Sequence, residues 1–213
     1  MLELMHVDQE VLQTKDRVTI DLIDGGRKFL EQFEVNHECL IDTISIVYQF
    51  LQVSGKIPHN FYKFVIAAYY INLRHPKAFP AHEPKKKFCR KFGIKESALD
   101  YSVNKITSAL SCIRILDDKN YPYYICPRID LGFKSIKNIV QDQVEKAMMN
   151  FMFFCQPIDA QILSEELTST LVFQLRMFPE ELFRQFYDII SKLVEEELSD
   201  FREYKRMRDK YLL

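Results

Sequence analysis

The 213-residue sequence has no tryptophan, only five glycines and only eight prolines. Such a composition argues against a fold made of many tight turns and, with Leu, Ile, Phe, Lys and Glu plentiful, predicts a mainly α-helical protein. No uninterrupted apolar run approaches the ~20 residues that a membrane-spanning helix needs, so no membrane partner is expected. The formal net charge of −1 excludes an overall basic field of the kind many non-specific nucleic-acid binders carry. Any such contact has to come from a local patch. The opening MLELMHVDQEVLQTKD has acids where an export signal carries a basic flank and an apolar run, so no export is expected. Cys39, Cys89, Cys112, Cys126 and Cys155 are odd in number, widely spaced and set among apolar residues. That pattern predicts free thiols in a reducing, intracellular compartment: the cytoplasm, or the nucleus in a eukaryote.

Recognisable catalytic chemistry is also missing. There is no Walker loop, no glycine-rich dinucleotide turn, no HExxH and no Gly-x-Ser-x-Gly. His37 with Cys39 and His82 with Cys89 belong to no spacing that tetrahedral zinc requires. No catalytic residue, metal or cofactor is therefore expected, and the carboxylates scattered along the chain read as solvated helix surface.

The chain does contain ample core material, at 47% hydrophobic with 17 Phe and 11 Tyr, and one stretch around which the rest is organised. Residues 83–110 read EPKKKFCRKFGIKESALDYSVNKITSAL. A first short helix over about Pro84–Phe92 sets Phe88, Cys89 and Phe92 against Lys85, Lys86, Lys87, Arg90 and Lys91. Gly93 supplies the turn, because glycine takes positive φ without steric cost, and Ile94 plugs the gap between the helices. A second helix from about Lys95 places Leu99, Val103, Ile106 and Leu110 on one face. This is the pattern of a helix-turn-helix, or equally of a plain αα-hairpin with solvated lysines.

Upstream, residues 1–16 read as an N-terminal arm. A helix is expected over Val18–Phe33, kinked or broken at Gly25-Gly26, where each glycine costs about 1 kcal/mol against alanine. Asn36 caps a helix that Ser54-Gly55 stops. Another helix starts near Pro58 and ends at Arg74-His75-Pro76, with Ala67-Ala68 at its middle permitting close approach of a neighbour. Downstream, residues 112–126 suggest a β-hairpin or an interdomain connector; as a hairpin it would be a wing whose tip carries Arg114, Lys119 or Arg128 towards a DNA backbone. Helices follow over about Ser135–Phe154, Asp159–Arg176 and Pro179–Lys210. Phe151 and Met152 are counted in the apolar face of the first, and an apolar stripe from Leu182 to Phe201 on the last allows a homodimer through the C-terminal helices. The expected domains are thus 17–128, cyclin-like or winged helical, and 129–213, helical.

Residues from about Asp21 to Leu110 resemble one cyclin-box repeat of the general transcription initiation factor IIB family. FLEQFEV, IDTISIVYQFL, FVIAAYYINLR, FCRKFGI and SALDYSVNKI follow one another in the family's order. Ala67-Ala68-Tyr69, Arg74, Gly93-Ile94, Leu99 and Ile106 carry the likeness best. No Cys-rich zinc ribbon precedes the repeat in this sequence, and residues 129–213 lack the Gly-hydrophobic turn of a second repeat, so the chain is not expected to act as a complete initiation factor.

The resemblance implies a cyclin-like bundle that binds duplex DNA through its last two helices and works with the transcription machinery. Lys85, Lys86, Lys87, Arg90 and Lys91 would neutralise phosphates, joined by Arg114 and Lys119 from the wing. Lys95, Ser97, Tyr101 and Asn104 would face bases, Asn suiting adenine and Lys guanine, whereas Asp100 opposes close approach at its own position. The alternative is a cyclin-like protein-interaction module that binds no nucleic acid.

Overall fold

The computed structural model describes residues 17–33, 35–80 and 83–211, with side chains as far as Arg202. The N-terminal arm expected over residues 1–16 lies outside the described residues. Among these, eight α-helices and a single two-stranded sheet make the chain mainly α-helical. The helices are α1 (Arg17–Glu31), α2 (His37–Ser54), α3 (Phe61–Leu73), α4 (Lys85–Lys91), α5 (Glu96–Ala109), α6 (Leu131–Phe154), α7 (Ala160–Ser169) and α8 (Phe183–Tyr211); strands β1 (Ile113–Leu116) and β2 (Pro122–Ile125) lie between α5 and α6. The chain divides into two compact units. The first holds residues up to Arg114 together with Pro122–Ile129, and the second holds Ile115–Tyr121 and everything from Asp130 onward.

The first unit is built around α3. Its sequence FYKFVIAAYYINL is apolar on nearly every side, which marks a helix surrounded by others. Phe61, Phe64 to Tyr70 and Ile71 are all buried, and Ala67 and Ala68 are wholly inaccessible. Helices α1, α2 and α5 and strand β2 pack against it. The helix ends at Arg74, itself buried. One guanidinium nitrogen of Arg74 donates to the Glu83 carbonyl at 2.8 Å, the group lies 4.7 Å over the Tyr70 ring, and its main-chain carbonyl accepts from Tyr124 N at 2.8 Å. Arg74 thereby joins the end of α3 to both the start of α4 and strand β2.

Helix α1 corrects one expectation. It runs unbroken through Gly25-Gly26, and of the two only Gly26 is needed for packing. A Cβ on Gly26 would sit 3.0 Å from Val65 Cγ2 and 3.2 Å from Phe61 Cε1, whereas one on Gly25 would meet only the Tyr62 hydroxyl at 3.8 Å. Gly26 is the place where α1 crosses α3 at close range. Gly25→Ala is expected to raise stability by about 0.5–1 kcal/mol through helix propensity. Gly26→Ala is expected to lower it by about 1 kcal/mol, because Val65 is stiff, fully buried and cannot swing aside. Urea unfolding midpoints check both signs.

Caps delimit the helices much as their residues suggest. The Asn36 side chain accepts from Glu38 N, and Gly55 at φ 60° closes α2 with its N–H on the Leu51 carbonyl. Helix α3 begins three residues after Pro58, at Phe61, with Asn60 at its N-cap. Asp130 starts α6 four residues earlier than expected by accepting from Phe133 N.

The cysteine reading is overturned. Cys112 and Cys126 form a disulfide, with Cα atoms 4.1 Å apart, leaving Cys39, Cys89 and Cys155 as thiols. The hairpin turns the chain back so that the residue after β2 meets the one just before β1, a proximity that a separation of 14 residues conceals. With a bridge present, cysteine usage no longer argues for a reducing compartment.

In the second unit, α6 buries Phe133, Ile136, Val140, Val144 and Met148; α8 packs against α6, and α7 packs against α8. The single helix expected over 159–176 is α-helical only to Ser169 and then widens into a π-turn over Thr170–Gln174. The wider turn lets the consecutive residues Leu171 and Val172 both be buried, although a regular helix points neighbours about 100° apart. The α8 stripe of Phe186, Ile190, Leu193, Val194 and Leu198, with Leu182 before it, is buried as intramolecular core. It is not free to form a dimer seam along those residues. No helix among the described residues is long and apolar enough to cross a membrane.

Candidate nucleic-acid interface

Helices α4 and α5 are joined by Phe92 to Lys95, and the joint follows from local sequence. Gly93 adopts φ 61°, the Ile94 N–H donates to the Cys89 carbonyl at 3.0 Å, and the Lys95 carbonyl accepts from Ala98 N and Leu99 N to start α5. Ile94 is buried at the bend, and Leu99, Val103, Ile106 and Leu110 bury the inner face of α5. Seven residues are too few for α4 to be stable alone, so rings hold it. Phe88 lies 5.0 Å from Tyr70 and 4.8 Å from Phe92, which is 4.6 Å from Phe33. Each such pair adds about 0.5–1.5 kcal/mol beyond area burial.

With Phe88 and Cys89 turned inward, the basic residues of α4 face water. Lys86, Lys87, Arg90 and Lys91 are exposed, as is Lys95 at the start of α5. Among the described residues none of these five has a carboxylate within ion-pair distance. Lys85 is different. Its ammonium contacts both Asp100 oxygens at 3.1 and 3.0 Å and Glu96 Oε2 at 4.0 Å, which clips α4 to α5. Lys85 is thereby ion-paired, unlike the other α4 cations, and its charge offsets that of Asp100 on α5. Both partners are partly exposed, so the clip contributes no more than about 1 kcal/mol.

On α5, Ser97, Tyr101, Asn104 and Ser108 form an exposed stripe at spacings of four, three and four, one face of a helix. Tyr101 is 60% exposed, and Lys105 Nζ stands 5.7 Å over its ring. Lys105 escaped the sequence reading, although its position four residues after Tyr101 was a usable signal. Arg114 is exposed on β1 and belongs to this unit. Burial pushes the Tyr124 phenol up, while the charges of Arg114, Arg74 and Lys85 act to lower it and Asp100 to raise it. Lys119 is exposed at the hairpin turn, in the stretch Ile115–Tyr121 that belongs to the second unit.

Burial, and after it nearby carboxylates, pushes the Cys39 and Cys89 thiols up, and burial likewise raises the Tyr69 phenol. These groups hold protons more tightly folded than unfolded, so stability is constant while both states are protonated and falls once the unfolded chain ionises first. We expect stability that is flat to about pH 8 and decreases from about pH 9 upward, read from urea midpoints across that range. Among the described residues no group of three or more His, Cys, Asp or Glu side chains could hold a metal ion. A cleft in the second unit is lined by Val172, Arg176, Phe178, Pro179, Glu180 and Glu181.

No family model, curated protein or solved structure matches this chain.

Proposed function

We propose that the protein binds duplex DNA, with α4 and α5 acting as a helix-turn-helix inside a cyclin-box-like bundle, and that it serves transcription. The observation that carries the reading is the cluster Lys86, Lys87, Arg90, Lys91 and Lys95, exposed and without carboxylate partners among the described residues, beside a helix whose outward stripe is Ser97, Tyr101 and Asn104. Phosphates held by Lys86, Lys87, Arg90 and Lys91 would set the helix in register, and Lys95 with the hydrogen-bonding stripe would meet base edges in the major groove. Arg114 extends the cationic surface from the neighbouring strand. With a chain charge of −1, binding depends on this patch alone and is steeply sensitive to salt.

Fluorescence anisotropy of a labelled duplex at several salt concentrations tests the proposal. Engagement of phosphates by the four α4 cations and Arg114 predicts a logarithmic salt slope of about −4 to −5. Absence of binding at low salt would overturn it and favour the same cyclin-like bundle as a protein-interaction module.

A further inference from the structure

The last two turns of α6 carry an exposed apolar tip. The inward face of the helix ends at Met148, and every residue from 149 to 157 is exposed. Met149 is 47% accessible, Met152 54%, Phe153 76% and Phe154 70%. Cys155, in the left-handed conformation at φ 53°, closes the helix with its N–H on the Phe151 carbonyl at 3.0 Å. From Ala147 to Ile158 the sequence AMMNFMFFCQPI has no charged residue. The result is an apolar helix tip that water touches on several sides.

From this geometry we infer that two copies of the chain pair through the α6 tips, tip against tip about a two-fold axis. Large side chains present about 150–250 Å² each, so the four exposed residues offer roughly 500 Å² per copy. Two copies bury about 1,000 Å², the lower bound of a specific interface, and a patch of that size is at the upper end for a chain that stays single. The surface is also complementary to itself. With no charge between Ala147 and Ile158, no register of pairing sets like charges together, and Met149 and Met152 against Phe153 and Phe154 of the other copy form sulfur–aromatic contacts. A two-fold arrangement uses the same patch twice and closes after two copies. A lipid surface fits less well, because the cation nearest in sequence, Lys146, is engaged by Asp142 at 2.6 Å and Asp159 follows on the other side. An interfacial helix draws on basic residues beside its apolar ones.

Sedimentation velocity of the full chain, without nucleic acid, decides the matter. At this interface size the wild type is expected to pass from monomer to dimer between about 1 and 100 µM. Met152→Glu/Phe153→Glu and the single variant Phe153→Lys, at exposed positions that leave the circular dichroism unchanged, are expected to stay monomeric throughout. Cys155 supplies a local readout: its maleimide labelling, followed by mass spectrometry, should slow severalfold with concentration in the wild type and keep one rate in the variants. A wild type that remains monomeric, or a dimer that both variants leave intact, overturns the inference. So does a monomer that sediments with uncharged phosphatidylcholine vesicles, which would assign the tip to lipid.

Discussion

Charge reversal at Lys86 and Arg90 together is expected to lower affinity for duplex DNA by roughly 60-fold at 0.1 M salt. The figure follows from two lost phosphate contacts, each removing about 0.9 from the logarithmic salt slope. Repulsion from the new carboxylates adds to it. Both side chains are exposed on α4, and neither has a carboxylate partner among the described residues, so the fold should not register the change beyond about 0.5 kcal/mol. Lys85→Ala is the matched control. Its ammonium is held by Asp100 at 3.0 Å, and its loss should leave the slope nearly unaltered. Anisotropy titrations of the three proteins at several salt concentrations separate the cases. Equal affinities and equal slopes for the double variant and the wild type would remove the α4 cations from any DNA interface.

Loss of the Cys112–Cys126 bridge is expected to cost about 3 kcal/mol, the amount that chain entropy assigns to closing a loop of about 15 residues. The bridge fastens the end of α5 to the end of β2, and β2 places Tyr123, Tyr124 and Ile125 in buried positions. Tyr124 N also donates to the Arg74 carbonyl, so the bridge holds the strand where α3 ends. Cys112→Ala/Cys126→Ala and the reduced wild type should both unfold at lower urea, followed by tyrosine fluorescence in a chain without Trp. Thiol titration of the denatured, unreduced protein should find three thiols, rising to five on reduction. Five thiols before reduction would show that no bridge exists.

Legibility in the sequence followed the range of the interactions involved. Helices with a strong period and a local cap were readable: Asn36 and Gly55 delimit α2, Gly93 makes the turn before α5, and Leu99, Val103, Ile106 and Leu110 lie on its buried face. Each of these depends on residues within one or two turns. What the reading missed involved partners distant in sequence or the end of a packing surface. Gly25-Gly26 looked like a helix break because the penalty is local, whereas the reason Gly26 is accommodated is the approach of Val65 and Phe61 from α3. Lys85 looked like its neighbours Lys86 and Lys87 until α5 brought Asp100 to it. Phe151 and Met152 continue the apolar period of α6, yet both are exposed, because the buried face of the helix ends at Met148.

Sequence alone therefore determined the helical class, the helix ends set by caps and glycine, the core stripe of α5 and the outward placement of the α4 cations. Periodicity and capping are properties of a few consecutive residues, and they hold wherever the segment lies. Tertiary structure decided which cations keep their charge unpaired, which cysteines bond, which glycine is needed for close packing and where the apolar face of α6 runs out. Those outcomes depend on what another part of the chain brings within a few ångströms, and no local pattern encodes that distance.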